Sequence, residues 1–117
     1  MPRVKKAVPS RRRRKKVLLS ARGYWGAKSR LFKTAKEAVE KSLLYSYRDR
    51  RNKKREFRNL WIIRINAAVR PYGFSYSQFV HRLNANHITL SRKTLAYLAV
   101  TDPNAFSKII ESVSDKS

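Results

Sequence analysis

The chain has 117 residues, of which 29 are Lys or Arg and 7 are Asp or Glu, for a formal charge of +22. That is one domain's worth of chain, but self-repulsion at this charge density opposes compaction unless phosphates or another polyanion relieve it. With no cysteine, and no apolar run approaching the roughly 20 residues of a membrane-spanning helix, disulfide scaffolds, thiolate metal sites and helical membrane spans are excluded. The charge is uneven: residues 1–70 carry 24 basic and 4 acidic side chains, residues 71–117 only 5 and 3. The N-terminus lacks the apolar region of a secretory signal, which argues against export.

In chain order, residues 1–9 hold Pro2 and Pro9 with Arg3, Lys5 and Lys6 between them and show no helical period. They read as an extended basic arm. Six consecutive cations follow, Arg11, Arg12, Arg13, Arg14, Lys15 and Lys16, and Ser10 as N-cap with Gly23 as C′ residue predicts a short helix from Arg11 to about Arg22. Its apolar members Val17, Leu18, Leu19 and Ala21 gather at its end. Arg22-Gly-Tyr-Trp-Gly26 is a hinge with two glycines around two aromatics.

From Ala27 to Arg70 the chain contains neither Gly nor Pro, and these 44 residues read as one uninterrupted helix, roughly 65 Å long at 1.5 Å per residue. Thr34-Ala-Lys-Glu37 matches a capping box, so a helix start at Thr34 is the competing reading. Val39, Leu43, Leu44 and Tyr47 keep a helical period, as do Phe57, Leu60, Trp61, Ile65 and Ala68. Between them Arg48 to Glu56 contains no apolar residue, and its six cations Arg48, Arg50, Arg51, Lys53, Lys54 and Arg55 point all round the helix, leaving no face for a protein core. Pro71-Tyr-Gly73 ends the rod. Ser75-Tyr-Ser-Gln78 opens a helix to about Asn84 with Phe79, Val80 and Leu83 inward. Ser91 caps a second from Arg92 to about Val100 that buries Leu95, Leu98 and Ala99. Asp102-Pro103 starts a third with Phe106, Ile109, Ile110 and Val113 as its stripe. About 45 residues make a marginal core, so the end of the preceding helix is expected to contribute to it. The expected fold is all-α: residues 1–71 form a basic arm, short helix and long helix that thread into RNA, and residues 72–117 a small three-helix globular domain.

Residues for catalysis are scarce. His81 and His87 lie six apart, which is not helical metal-ligand spacing, and they read as surface or RNA-facing. Glu37, Glu40, Asp49 and Glu56 each stand within four residues of several cations and read as intrahelical partners. The chain is expected to be no enzyme, with no metal, cofactor or small-molecule substrate. What stands out is basic residues interleaved with aromatics. Arg suits planar, bidentate contact with phosphate and base edges, and the runs 11–14 and 48–58 are rich in it. The candidate RNA-binding set is therefore the arm and short-helix cations above, Arg22, Lys28 and Arg30 around the hinge, the six cations of the polar segment with Arg58 and Arg64 beyond it, and Arg92 and Lys93 in the C-terminal part. Tyr24 and Trp25 either stack on unpaired bases or pin the short helix against the long one. Trp61, repeating with Phe57 and Ile65, reads as packing. Shape favours threading through folded RNA; a non-specific DNA-compacting protein is the rival from the same charge, and an enzyme acting on RNA the weakest alternative.

Met1-Pro-Arg-Val-Lys-Lys6, Arg11 to Leu18, Gly23-Tyr-Trp-Gly26, Ser29 to Val39, Tyr47 to Arg58, Leu60 to Ala68, Ser75 to Phe79 and Leu95 to Val100 together resemble the bacterial large-subunit ribosomal protein family numbered twenty, L-twenty, over essentially the whole chain. The resemblance implies a structural constituent of the large ribosomal subunit, in the cytoplasm, that binds large-subunit (23S-type) rRNA directly and is needed early in subunit assembly. Its basic extension would thread into the RNA and its helical C-terminal domain would recognise an RNA helical junction. Neighbouring large-subunit ribosomal proteins are implied partners, as is, in some bacteria, the protein's own operon mRNA, whose translation it would repress. Trp25 and Ala27 depart from the basic residues of many relatives, and Val8-Pro9 and Pro71 from helix-compatible ones.

Overall fold

The computed structural model describes residue 3 and residues 5–115. Met1, Pro2 and Val4, which belong to the expected arm, lie outside the described residues. Regular structure among the described residues is helical throughout, so the fold is all-α. The helices are α1 (Ala7–Ser20), α2 (Phe32–Val69), α3 (Tyr76–Ala85), α4 (Arg92–Thr101) and α5 (Pro103–Ser114). The chain divides into two compact units, one ending at Arg51 and the other beginning at Asn52, so that each takes part of α2.

In the first unit, α1 starts four residues earlier than expected. Ser10 is not its cap: the Ser10 amide makes the i→i−4 bond to the Lys6 carbonyl (3.0 Å), and no side chain caps the helix. Pro9 is tolerated because it sits in the first turn, where its missing N–H has no intrahelical acceptor to lose. Arg3, Lys5 and Lys6 precede the helix, whereas Ala7 to Pro9, expected in the arm, belong to it. The chain then turns through Gly23 (φ +88°) and Gly26 (φ +61°), both in the left-handed region that favours glycine. The helix expected from Ala27 is interrupted. A 3-10 turn covers Gly26–Ser29, the chain breaks at Arg30 and Leu31, and α2 begins at Phe32, upstream of Thr34. Among the described residues of this unit the buried apolar ones are Ala21 and Ala35, whereas Leu43 and Leu44 are each 64% exposed.

The second unit holds the hydrophobic core: Phe79 and Leu83 of α3, Leu95 and Ala96 of α4, and Phe106, Ile110 and Val113 of α5 close on Ile65 and Val69 of α2. The end of α2 is thus part of the core, as expected from the small size of the C-terminal part. Phe79 and Phe106 pack with ring centroids 5.8 Å apart. Leu98 and Ala99 pack against this core as expected but are only half-buried, and Ala96, which was not expected there, is fully buried.

Capping residues position the short helices. Ser75 Oγ accepts from the Gln78 amide (3.3 Å) while the Ser75 amide donates to Gln78 Oε1 (2.9 Å), a complete capping box. Ser91 Oγ accepts from the Thr94 amide, and the Asp102 carboxylate from the Ala105 amide ahead of Pro103. Two helix ends use the same closing device. After α2, the Phe74 amide reaches back to the Val69 carbonyl and the Gly73 amide to that of Arg70, with Gly73 at φ +83°; after α3, Ile88 reaches Leu83 and His87 reaches Asn84, with His87 at φ +56°. These are Schellman motifs, and Phe74–Val69 and Ile88–Leu83 are the apolar pairs that accompany them. His87 therefore occupies a position that usually takes Gly, and its side chain is exposed. Replacing Ser75 with Ala removes one half of the capping box outright and is expected to cost about 0.5–2 kcal/mol, read as a lowered denaturant midpoint with unchanged m-value. An unchanged midpoint would show that α3 is held by its packing alone.

Candidate nucleic-acid interface

Arg11 to Lys16 are all exposed on α1, and successive residues 100° apart carry their charges round the whole helix. No residue of α1 is buried. Arg14 sets its guanidinium over the Phe32 ring at 5.2 Å, which anchors α1 to the start of α2. A groove of about 360 Å³ between α1 and the hinge has Leu18 and Leu19 in its lining and Lys15 and Arg22 as its cations. At the hinge Tyr24 is half-buried, while Trp25 is 90% exposed. The two aromatics separate accordingly: Tyr24 packs and Trp25 presents its ring to solvent. Lys28 and Arg30, in and after the 3-10 turn, are exposed.

Along the polar segment of α2, Arg48, Arg50 and Arg51 belong to the first unit and Lys53, Lys54 and Arg55 to the second, and all are exposed. Several are held by aromatic neighbours one turn away. Arg48 lies 4.8 Å and Lys41 5.4 Å from the Tyr45 ring centroid, Arg51 lies 3.5 Å from that of Tyr47, and Lys53 5.9 Å from that of Phe57. Arg51 also donates from Nη1 to the Tyr47 carbonyl at 3.1 Å. Each exposed cation–π contact is worth about 0.5–1 kcal/mol, enough to bias a side-chain conformation and leave the charge available. This explains why aromatics recur between the cations, a pattern visible in the sequence whose local geometry was not.

The acidic residues do less than expected. Among the described residues the one ion pair is Arg48 Nε to Asp49 Oδ1 at 3.0 Å, between side chains about 60% exposed; Glu37, Glu40 and Glu56 make none. Exposed pairs gain only about 0–1 kcal/mol and must hold two long side chains still, so Glu37, Glu40 and Glu56 lower repulsion at a distance without direct contact.

In the second unit Arg58 and Arg64 are exposed on α2. Arg92 is half-buried and donates from Nε to the Tyr76 hydroxyl at 2.7 Å, fastening α4 to the start of α3, so its first role is structural. Lys93 is exposed and shares a groove of about 510 Å³ with Trp61, Arg64, Thr94 and Tyr97. Thr94 and Tyr97 are not among the residues predicted from sequence. The available signal was Tyr97 itself, an aromatic four residues after Lys93, and the structure shows it 64% exposed. The predicted residues divide between the two units: in the first they lie on the residues before α1, on α1, at the hinge and on α2 up to Arg51, and in the second on the rest of α2 and on α4.

The family model described as Ribosomal protein L20 matches residues 3–109. Curated relatives named Large ribosomal subunit protein bL20 align over nearly the whole chain. The Salinibacter ruber protein is 54% identical over 115 residues, covering 98% of this chain and 100% of the relative. That of Carboxydothermus hydrogenoformans is 56% identical over 111 residues, 95% of each chain. That of Syntrophotalea carbinolica is 58% identical over 111 residues, 95% of this chain and 94% of the relative.

Proposed function

This chain belongs to the ribosomal protein L20 family, and from that membership we propose that it binds 23S-type rRNA directly as a structural constituent of the large ribosomal subunit and acts early in the subunit's assembly. One observation carries the RNA-binding reading. The unit up to Arg51 holds 18 basic and 3 acidic side chains, yet among its described residues the buried apolar ones are two alanines. Two buried methyl groups do not offset that repulsion, so this unit's folded form requires phosphates around it. The same reading assigns the arm cations, Arg11 to Lys16, the hinge cations and the polar segment of α2 to phosphate contacts, and exposed Trp25 to stacking on an unpaired base. Neighbouring large-subunit proteins complete its surroundings in the cytoplasmic ribosome. Repression of its own operon mRNA, carried by the family resemblance, falls to the C-terminal unit, which has a core of its own.

Competition binding tests the proposal against DNA compaction, the alternative drawn from the same charge. At physiological salt the purified protein is expected to prefer a large-subunit rRNA transcript over random duplex DNA of equal nucleotide content. Preference for the duplex would overturn it.

A further inference from the structure

We propose that the groove between α2 and α4 holds one unpaired RNA nucleotide, its base stacked on Tyr97 beside Trp61 and its flanking phosphates on Arg64 and Lys93. This rests on the RNA-binding reading above and names what the second unit recognises. Trp61 and Arg64 stand i, i+3 on α2, and Lys93 and Tyr97 stand i, i+4 on α4, so each helix puts one aromatic and one cation on the same wall of the groove. Trp61 is half-buried against the core and tilted 43° on Phe57 at 6.4 Å, which fixes its ring. Tyr97 is 64% exposed, so a ring face is free.

The groove's volume of about 510 Å³ lies within the roughly 300–1,000 Å³ of sites that take small organic groups. No carboxylate lines it, and among the described residues neither Arg64 nor Lys93 is in an ion pair. Both cations are open to an external anion, unlike Arg92, which is tied to Tyr76. The chemistry that matches two rings and two cations is a π-faced group on an anionic backbone. An acidic peptide would satisfy the cations and leave the rings unused, and a continuous A-form duplex keeps its base faces stacked inside. Thr94, the remaining polar group of the lining, shares its hydroxyl with Ser91 at 2.8 Å, so the site reads an unpaired base by its face more than by its edge. The consequence is selectivity for irregular RNA over uninterrupted duplex.

Full-length protein and a full-length 23S-type rRNA transcript provide the test, with affinity measured across a salt series. Tyr97→Ala is expected to weaken binding roughly 5- to 100-fold, the effect of losing one base–aromatic stack. The salt slope should not move, because every phosphate keeps its cation, and Tyr97→Phe should restore the affinity. Lys93→Ala, by contrast, should lower the slope by about 0.7–0.9. Wild-type affinity in Tyr97→Ala would overturn the groove assignment while leaving rRNA binding intact. If that variant binds rRNA normally but fails to enter large-subunit particles, the groove docks a protein and the proposal is likewise wrong. Failure of Tyr97→Phe to rescue would replace stacking with a hydroxyl hydrogen bond, and absence of binding by the wild-type chain would remove the RNA reading with it.

Discussion

Replacing Arg50, Arg51, Lys54 and Arg55 together with alanine is expected to lower the slope of log affinity against log salt by about 3–3.5, at about 0.7–0.9 for each phosphate that is no longer neutralised. The expectation follows from the placement of these side chains. All four are exposed on a stretch of α2 with no buried residue, and among the described residues none is in an ion pair. Only Arg51 is held within the chain, by the Tyr47 ring and carbonyl, and that interaction leaves its charge unneutralised. Alanine has the highest helix propensity, so the substitutions preserve α2 and circular dichroism should show the helix content unchanged. A slope equal to that of the wild type would mean that this segment does not lie against phosphates, whatever else the chain binds.

Residues 52–117 are expected to unfold cooperatively, and residues 72–117, expressed without α2, to lose that cooperativity. The truncation removes Ile65 and Val69, both fully buried, and the partly buried Trp61 and Ala68 that pack against the same core. At about 1.5–3 kcal/mol for each fully buried aliphatic side chain, Ile65 and Val69 alone contribute about 3–6 kcal/mol, against a total of about 5–15 kcal/mol for a typical domain and less for one this small. Thermal melts of the two fragments followed by circular dichroism separate the outcomes. A transition in the shorter fragment within a few degrees of the longer one would show that α3, α4 and α5 close a core among themselves and that α2 merely lies on it.

Local chemistry made some of this fold legible in the sequence. Ser75 with Gln78, Ser91, and Asp102 with Pro103 mark their helix starts because a cap is a contact between residues three apart, and the structure has each of them in place. The absence of Gly and Pro marked the long helix, but not its true start. Leu31 and Phe32 are compatible with helix, and it is the turn built by Gly23 and Gly26 that redirects the chain into a 3-10 turn before α2. Ser10 misled for the opposite reason: a good cap is used only when the helix begins there, and Pro9 is equally at home inside a first turn. His87 in a left-handed position had no signal at all, since the Ile88–Leu83 pairing that holds it is a feature of the packed core.

The sequence by itself determined the all-helical class, the division into a cationic part and a nearly neutral one, the helix caps of the C-terminal module and the family, because each depends on composition or on residues within a turn of one another. Only the tertiary structure decided which aromatics are buried and which are free. Trp25 and Tyr24 are adjacent, yet one is exposed and the other packed; Trp61 and Tyr97 lie thirty-six residues apart, yet line one groove with Arg64 and Lys93. The reason is that burial follows from which helix faces meet, and here those meetings are set by Ile65 and Val69 entering a core built from three helices further along the chain.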